Sequence, residues 1–312
     1  MRIRSWKVFC IKNKYETYVV QILEFLKWVV LLYEEVRKMK KIFLIIFIVT
    51  SILLSFSQTL VIKGSNTIFP IVQLWVEELN KISPELHITV EGAGSSTGIT
   101  ALFSGTTDIA NSSRWLKDSE IKQMHKEEKY FIPIVIGYDG LAIIVSPELG
   151  INDISIEQLA GIYTGKITRW NQINPNLPNQ RIVAYSRNSA SGTYETFVEK
   201  VLKGQRMSPN VLMLESTSAE IQAIATSKYA IAYMGVGYVT GDVKILSVNG
   251  IIPNKINILN GSYPISRPLF MFLDATHGYP SSGPIKEYIT FALSQRGQDL
   301  LEEAGYIAAY GY

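Results

Sequence analysis

The sequence predicts an α/β fold arranged as two lobes, and three observations carry that prediction. The chain has 312 residues, of which 47% are hydrophobic. A chain of this size can bury roughly three quarters of its unfolded surface without help from disulfides or metals. From Leu60 onward, short strand patterns alternate with helical ones, which is typical of α/β proteins. Two long extended stretches interrupt this alternation, and each can connect one lobe to the other.

The predicted elements follow one another in regular order along the chain. In the first helix, for example, Ile71, Leu74 and Trp75 recur at helical spacing. The predicted strands are Leu60–Lys63, His87–Glu91, Asp108–Ala110, Arg181–Tyr185, Ala230–Met234 and Leu269–Leu273. The predicted helices are Pro70–Leu79, Thr97–Phe103, Asp118–Lys126, Ile156–Ile162, Tyr194–Leu202, Ala219–Thr226, Pro284–Ser294 and Gln298–Ala304.

The two long extended stretches are Ile132–Val145 and Asn260–Leu273. Each is a candidate crossover between lobes. Because two crossovers make one lobe discontinuous in sequence, we expect the first lobe to comprise residues 58–138 and 268–312. Residues 139–267 would then form the second lobe.

The segment before the predicted fold has the pattern of an export signal. A short basic stretch at Met39–Lys41 precedes the apolar run Ile42–Leu54, and small serines follow that run. This pattern predicts a signal peptide at residues 39–57, cleaved near Ser57. The alternative is a retained membrane anchor, but an anchor needs about 20 apolar residues and this run is shorter.

Residues 1–38 precede the predicted signal peptide. We interpret them as an upstream extension, with the true start at Met39. The alternative is a genuine amphipathic leader, because residues 19–36 are rich in Leu, Val and Trp.

Cysteine usage and charge narrow the class of protein. The single cysteine is Cys10, so the exported part offers no disulfide, no thiolate chemistry and no lipid-attachment site. We therefore expect a soluble periplasmic protein rather than a lipoprotein. Residues 1–57 hold ten of the 30 basic and four of the 27 acidic side chains, so cleavage changes the formal net charge from +3 to −3. An acidic mature chain gives no support for nucleic-acid binding, and a bound anion must be held by local dipoles.

Three segments share one design, in which a strand ends in a turn rich in Ser, Thr and Gly and a helix follows. They are Gly64–Pro70, Gly92–Gly98 and Ser189–Thr193. The N-terminus of a helix carries free N–H groups and a partial positive charge, which together can bind an anion. Any one of these turns can equally be an ordinary helix cap. Three together favour an anion site.

Two arginines stand beside these turns. Arg114 follows a predicted strand, and Arg187 comes four residues before Ser191. The planar guanidinium group of arginine presents paired donors that match oxyanions, although each arginine could also form a surface ion pair.

Asp139 lies between two apolar runs and bears on which anion is bound. A carboxylate repels a bound dianion unless that anion carries a proton that the carboxylate can accept. Hydrogen phosphate carries such a proton and sulfate does not, so Asp139 would disfavour sulfate. The alternative is a solvent-exposed aspartate in a turn.

An enzyme is the rival from another class. Residues 94–98 match the G-x-S-x-G pattern of a serine hydrolase, with Ser96 as the nucleophile. A triad would then need His277 together with Asp242 or Asp274, and no HGGG-type oxyanion loop occurs. A dinucleotide site lacks its third glycine, and three scattered histidines do not favour a metal site.

Six segments in fixed order resemble the phosphate-binding proteins of Pst phosphate ABC importers, which are type II solute-binding proteins. The segments are Gly64–Pro70, Gly94–Gly98, Asp108–Arg114, Tyr138–Ala142, Ile162–Trp170 and Arg187–Thr193. The resemblance extends from about Leu60 to Ile307. It implies a periplasmic binding protein fold, in which two α/β lobes joined by two crossovers close on a dehydrated phosphate.

The same resemblance implies which residues bind phosphate. In the first lobe they are Thr67, Ile68 through its backbone N–H, Ser95, Ser113 and Arg114. In the other lobe they are Arg187, Ser191, Gly192 and Thr193, with Asp139 as the proton acceptor. Some family members place the acceptor aspartate where this chain has Ser113, and here Asp139 would take that role.

The function implied is capture of inorganic phosphate and delivery to the membrane permease subunits of an ABC importer, by a monomer without cofactor, metal or catalysis. The alternatives within binding proteins are another oxyanion, such as sulfate or molybdate, and an extracellular sensor or adhesion domain built from the same lobes.

Overall fold

The computed structural model describes residues 24–29, 31–40, 59–239 and 241–309. The chain divides into two units, residues 1–57 and 58–312. In the first unit, residues 24–29 and 31–40 are helical and exposed. Most of the predicted signal peptide, from residue 41 onward, and much of the predicted extension lie outside the described residues. No helix among the described residues has both the length and the apolar character needed to cross a membrane.

The second unit begins with three parallel strands, each followed by a helix. Strand β1 lies between β2 and β3. The elements are β1 (Thr59–Gly64), α1 (Phe69–Ile82), β2 (His87–Gly92), α2 (Ser95–Phe103), β3 (Ile109–Ser112) and α3 (Asp118–Lys126). In α1, the buried face consists of Ile71, Val72, Trp75 and Leu79, as the apolar spacing predicts.

Two long strands connect the two halves of this unit. Strand β4 (Phe131–Val145) pairs antiparallel with β10 (Ser266–Asp274) along residues 131–140. Its remaining residues, 141–145, pair with strand β8 (Ala230–Gly235) instead. The two segments expected to be crossovers are therefore one antiparallel pair. With β6 (Val183–Arg187) and β7 (Leu212–Leu214), the strand order β2-β1-β3-β10-β4-β8-β6-β7 runs through both lobes.

The second lobe contains the elements between these two long strands. They are β5 (Asp153–Ile154), α4 (Ile156–Tyr163), β6 (Val183–Arg187), α5 (Gly192–Phe197), β7 (Leu212–Leu214), α6 (Thr217–Thr226), β8 (Ala230–Gly235), β9 (Lys244–Val248) and α7 (Lys255–Leu259). A π-helical turn, Val198–Leu202, continues α5, and short 3-10 turns occupy Trp170–Gln172 and Val236–Tyr238.

The chain then returns to the first lobe through α8 (Gly283–Ala292), α9 (Gln295–Glu303) and β11 (Ile307–Ala308). Helix α9 contacts α1, and the indole Nε1 of Trp75 donates to the carbonyl of Gly297 over 2.7 Å. A Cβ on Gly297 would lie 2.1 Å from the carbonyl oxygen of Phe291 on α8, so glycine is required where the first turn of α9 approaches the end of α8.

Each lobe has its own large apolar core. One core surrounds Trp75 and Leu301 in the first lobe, and the other surrounds Tyr163, Trp170 and Phe197 in the second. The predicted α/β class is therefore confirmed, as is the alternation of strands and helices. The helix predicted at residues 194–202 is helical throughout, with a π-helical second half, and the predictions were wrong where they omitted β5, β7, β9, α7 and β11.

Candidate anion-binding site

Serine hydroxyls from three segments of the first lobe meet at one edge of its sheet. The Ser65 hydroxyl donates to Ser113 Oγ over 3.1 Å, and Ser95 Oγ accepts the Ser113 N–H over 3.1 Å. All three side chains are buried. They converge because they follow parallel strands, whose carboxyl ends share one edge. Ser95 and Ser113 were predicted as site residues, whereas Ser65 was not, although it lies in the first predicted turn.

Two helices of the first lobe begin at this edge without a side-chain cap. The N-cap residue of α1 is Ile68 and that of α2 is Gly94, and neither start has a side-chain hydrogen bond to its first turn. No side chain therefore occupies the N–H groups of these first turns, although Pro70 has no N–H and the Ser96 N–H donates to a backbone carbonyl of the second lobe. The N–H of Ile68 itself donates to the Ser65 carbonyl over 3.2 Å, a turn bond rather than a free donor.

The second lobe contributes the turn before α5, which contacts the first lobe directly. The hydroxyls of Thr67 and Thr193 lie 2.9 Å apart, and both side chains are buried. The Ser96 N–H donates to the Ala190 carbonyl over 3.1 Å. The turn residue Ser191 caps α5, because its hydroxyl accepts the Thr193 N–H over 3.2 Å.

Gly192 lies against the serine hydroxyls of the opposite lobe. A Cβ at this position would be 2.3 Å from Ser95 Oγ and 2.7 Å from Ser113 Oγ. Any side chain would therefore force the lobes apart, and glycine lets the backbone of α5 approach the serine cluster. The structure thus brings Thr67, Ser95 and Ser113 together with Gly192 and Thr193.

Asp139 is fully buried beside this group and is paired with Arg267. Its Oδ2 accepts from Arg267 Nε over 3.1 Å and from Nη2 over 2.7 Å, while Oδ1 accepts the Val236 N–H over 2.9 Å. Burial raises the pKa of Asp139, and Arg267 acts in the opposite direction. We take the carboxylate to be ionised at neutral pH, because a protonated Asp139 would leave the buried guanidinium charge unpaired.

Arg187 is buried at the end of β6, directly before the turn of the second lobe. Its Nη1 donates to Thr217 Oγ1 over 3.1 Å and its Nη2 to the Glu215 carbonyl over 2.7 Å. The Asn66 side-chain amide is placed in the orientation that satisfies both of its polar atoms. In that orientation its oxygen also accepts from Arg187 Nη2 over 2.9 Å. Asn66 belongs to the first lobe, so Arg187 lies where the two lobes meet.

Arg114 is not directed toward the serine cluster. Its guanidinium forms a two-pronged ion pair with Glu120, with both N–O distances 2.8 Å, and it also contacts Glu195 of the second lobe. A further bond of 2.7 Å goes to the Trp115 carbonyl. In this arrangement two carboxylates occupy the guanidinium of Arg114, and its expected role as a ligand donor stays a prediction.

The surroundings of Ser96 do not resemble those of an activated nucleophile. Its hydroxyl accepts from Arg114 Nη2 over 2.9 Å and contacts Lys117 and Glu195. Among the described residues, no histidine contacts this hydroxyl, and no cluster of His, Cys, Asp or Glu side chains could hold a metal ion.

Glu220 on α6 is a buried acid close to Arg187. Its side chain is completely buried, and neither carboxyl oxygen has a hydrogen-bond partner within the described part of the chain. Burial raises the pKa of Glu220 well above its ordinary value, and the nearby positive charge of Arg187 only partly opposes this. The folded protein therefore holds the proton on Glu220 at pH values where an unfolded chain releases it.

This raised pKa predicts a specific dependence of stability on pH. The unfolded glutamate ionises near pH ~4.3. Because the folded pKa is higher, the contribution of Glu220 is fully present below that pH and is lost as the pH rises. We expect Glu220→Gln, which imitates the protonated form, to increase the free energy of unfolding at pH 8 by about 1 kcal/mol or more.

Urea titrations at pH 4 and pH 8 measure this effect, and the difference from the unsubstituted protein should disappear at pH 4. The exposed Glu85 serves as the control, because Glu85→Gln should change stability little at either pH. Equal stability of Glu220→Gln and the unsubstituted protein at pH 8 would show that the fold does not raise the pKa of Glu220.

A fold of two α/β lobes with a site between them is typical of binding proteins, and comparison with known families gives the same class. A profile described as PBP superfamily domain matches residues 55–296, which is most of the chain. The chain therefore belongs to the PBP superfamily.

Relatives within that superfamily point to one family. The phosphate-binding protein PstS of Borreliella burgdorferi is 32% identical over 286 residues, covering 86% of this chain and 99% of the relative. PstS of Staphylococcus epidermidis is 31% identical, covering 79% of this chain and 78% of the relative. The chain is thus a member of the PstS family.

Solved structures agree with this placement. A substrate-binding protein of Clostridium perfringens, assigned to a phosphate ABC transporter and solved with bound phosphate, has a TM-score of 0.74 at 29% identity. The match covers 81% of this chain and all of that one. An ABC-type phosphate transport receptor from Vibrio cholerae has a TM-score of 0.65 at 30% identity, covering 80% of this chain and 99% of the other.

Proposed function

We propose that this protein captures inorganic phosphate outside the cytoplasm and delivers it to an ABC-type importer. The observation that carries the proposal is the buried meeting point of the two lobes. There, hydroxyls from Thr67, Ser95 and Ser113 meet Gly192 and Thr193 beside the buried Asp139–Arg267 pair. The relatives named PstS and the phosphate-bound structural neighbour support phosphate as the ligand.

The chemistry of the site suits a protonated oxyanion. The hydroxyl groups can donate to phosphate oxygens, as can those first-turn N–H groups of α1 and α2 that are not already bonded. Asp139 can accept the proton that hydrogen phosphate carries, and its charge opposes an anion without a proton. Arg187 supplies positive charge next to the turn of the second lobe. We propose Thr67, Ser95, Ser113, Asp139, Arg187, Gly192 and Thr193 as the main contributors, with Ser191 holding the turn.

Ligand capture in this proposal works through closure of the lobes. Groups of both lobes form one site only when the lobes are in contact, as in the 2.9 Å approach of Thr67 to Thr193. A ligand that binds groups of both lobes stabilises the closed arrangement over the open one. The permease subunits would then recognise the closed form, so the protein acts by binding rather than by catalysis.

The proposal also covers processing and organisation. We propose export with removal of residues 39–57, and a soluble periplasmic monomer, since Cys10 lies upstream of the signal and no cysteine follows it. The lobe boundaries at 138/139 and 267/268 stay predictions, and both fall on the paired strands β4 and β10.

Calorimetric titration of the purified protein tests the proposal after bound ligand has been removed by unfolding and refolding. We expect tight binding of phosphate and negligible binding of sulfate. Tight sulfate binding would leave the assignment of the fold intact but would show that phosphate is not the specific ligand. Absence of binding to either anion, by protein whose circular dichroism shows complete refolding, would overturn the proposed function.

A further inference from the structure

Arg267 lies at the centre of the site although no sequence pattern pointed to it. Strand β10 places it directly opposite Asp139 of β4 in the antiparallel register. Residues directly opposite in such a pair project their side chains to the same face of the sheet. The side chain of Arg267 is 2% exposed and that of Asp139 is 0% exposed, so water does not screen this ion pair.

One guanidinium group contacts both the carboxylate and the hydroxyls of the two lobes. Besides its two bonds to Asp139, Arg267 donates through Nη1 to Thr193 Oγ1 over 3.1 Å. It also donates through Nη2 to Thr67 Oγ1 over 3.3 Å. Thr67 belongs to the first lobe and Thr193 to the second, so Arg267 connects the proton-accepting carboxylate to one hydroxyl of each lobe.

The pairing of Arg267 with Asp139 reduces the repulsion between the buried carboxylate and a bound anion. An anion close to the buried Asp139 carboxylate would face a like charge in a medium of low dielectric constant. A fixed positive charge that is bonded to Asp139 offsets that repulsion while leaving the carboxylate ionised and able to accept a proton. Lysine could supply the charge but not the fixed fork that reaches the carboxylate and both hydroxyls.

We propose that Arg267 is the positioning residue for anion selection: it fixes the ionised Asp139 carboxylate toward the anion and aligns the Thr67 and Thr193 hydroxyls when the lobes close. This inference rests on the proposed function, because it assigns a role within the same site. Arg267 thus acts on phosphate mainly through Asp139 and the two threonines.

A purely structural ion pair would stabilise the fold without affecting the choice of anion. The test therefore measures the ratio of phosphate to sulfate affinity, which a structural role would not change. Calorimetric titration is carried out on the unsubstituted protein, on Arg267→Lys, on Arg267→Met and on Asp139→Asn. The double variant Asp139→Asn with Arg267→Met completes a double-mutant cycle.

We expect Arg267→Lys to lower the ratio of phosphate to sulfate affinity at least tenfold while the protein stays folded. We expect Arg267→Met to lower it further, to about the value of Asp139→Asn. In the double variant the two effects should not add, because Arg267 acts through Asp139. Thermal melting checks that each variant is folded, and Arg267→Lys keeps the test decisive if Arg267→Met does not fold.

Two outcomes would overturn the inference. An unchanged ratio in folded Arg267→Lys would mean that Arg267 is only a structural partner. Additive effects in the double variant would mean that Arg267 selects the anion independently of Asp139. The unsubstituted protein separates these outcomes from failure of the proposed function, because it must bind phosphate before any variant is compared.

Discussion

Replacing Arg187 with alanine is expected to abolish high-affinity phosphate binding. The guanidinium is 1% exposed and lies at the end of β6, immediately before the turn that meets the first lobe. Removal of one partner from a buried, hydrogen-bonded charge pair costs roughly 2–5 kcal/mol, which corresponds to about 30-fold to 4,000-fold weaker binding. The Asn66 amide, which accepts from Arg187 across the lobes, would lose its partner as well.

Calorimetric titration with phosphate measures this loss, and circular dichroism establishes that Arg187→Ala is folded. Arg187→Lys keeps the charge without the planar fork and should bind with intermediate affinity. The matched control is Arg296→Ala, because Arg296 is half-exposed on α9 and pairs with Glu78 and Glu303 of the first lobe. Near-normal phosphate affinity in folded Arg187→Ala would remove Arg187 from the site.

The turns that form the site were predictable because their signal is local. A strand end, a turn of small residues and a helix start occupy about seven consecutive residues, so the pattern can be recognised without any tertiary contact. Parallel strands then bring such turns to one edge, which is why Thr67, Ser95 and Ser113 lie together. The apolar spacing of α1 predicted its buried face for the same local reason.

Arg267 was not predictable from local pattern, because its role depends on a partner far away in sequence. Asp139 lies 128 residues earlier, and only the register of β4 against β10 places the two side chains opposite each other. Within its own strand, Arg267 is a single basic residue in an apolar run. A charged residue inside a buried strand is costly without a partner, and that cost was the one available signal.

The partners of Arg114 could not be predicted from its own segment either. Its position after β3 suggested an oxyanion donor, yet the choice between ligand and carboxylate depends on neighbours that the segment itself does not contain. Glu120 lies in the first turn of the next helix, and Glu195 comes from the other lobe. The shortest strands were missed for a related reason, since two or three residues are too few to show an alternating pattern.

Replacing Asp139 with asparagine is expected to remove the discrimination between phosphate and sulfate. The amide keeps the shape of the carboxylate but has no charge, and its NH2 group can donate to an unprotonated anion oxygen. Sulfate would then no longer meet a like charge, so its affinity should rise. Phosphate affinity should fall, because the acceptor for its proton has been weakened and Arg267 has lost its counterion.

Competition titrations with the two anions measure the ratio of their affinities, which should fall at least tenfold in Asp139→Asn. Asp299→Asn serves as the matched control, because Asp299 is exposed and its carboxylate accepts from Gln295 on the same helix. The opposing changes for the two anions distinguish this mechanism from simple damage to the site, which would weaken both. An unchanged ratio would show that the buried carboxylate serves only to pair Arg267, and that selection for a protonated anion arises elsewhere in the site.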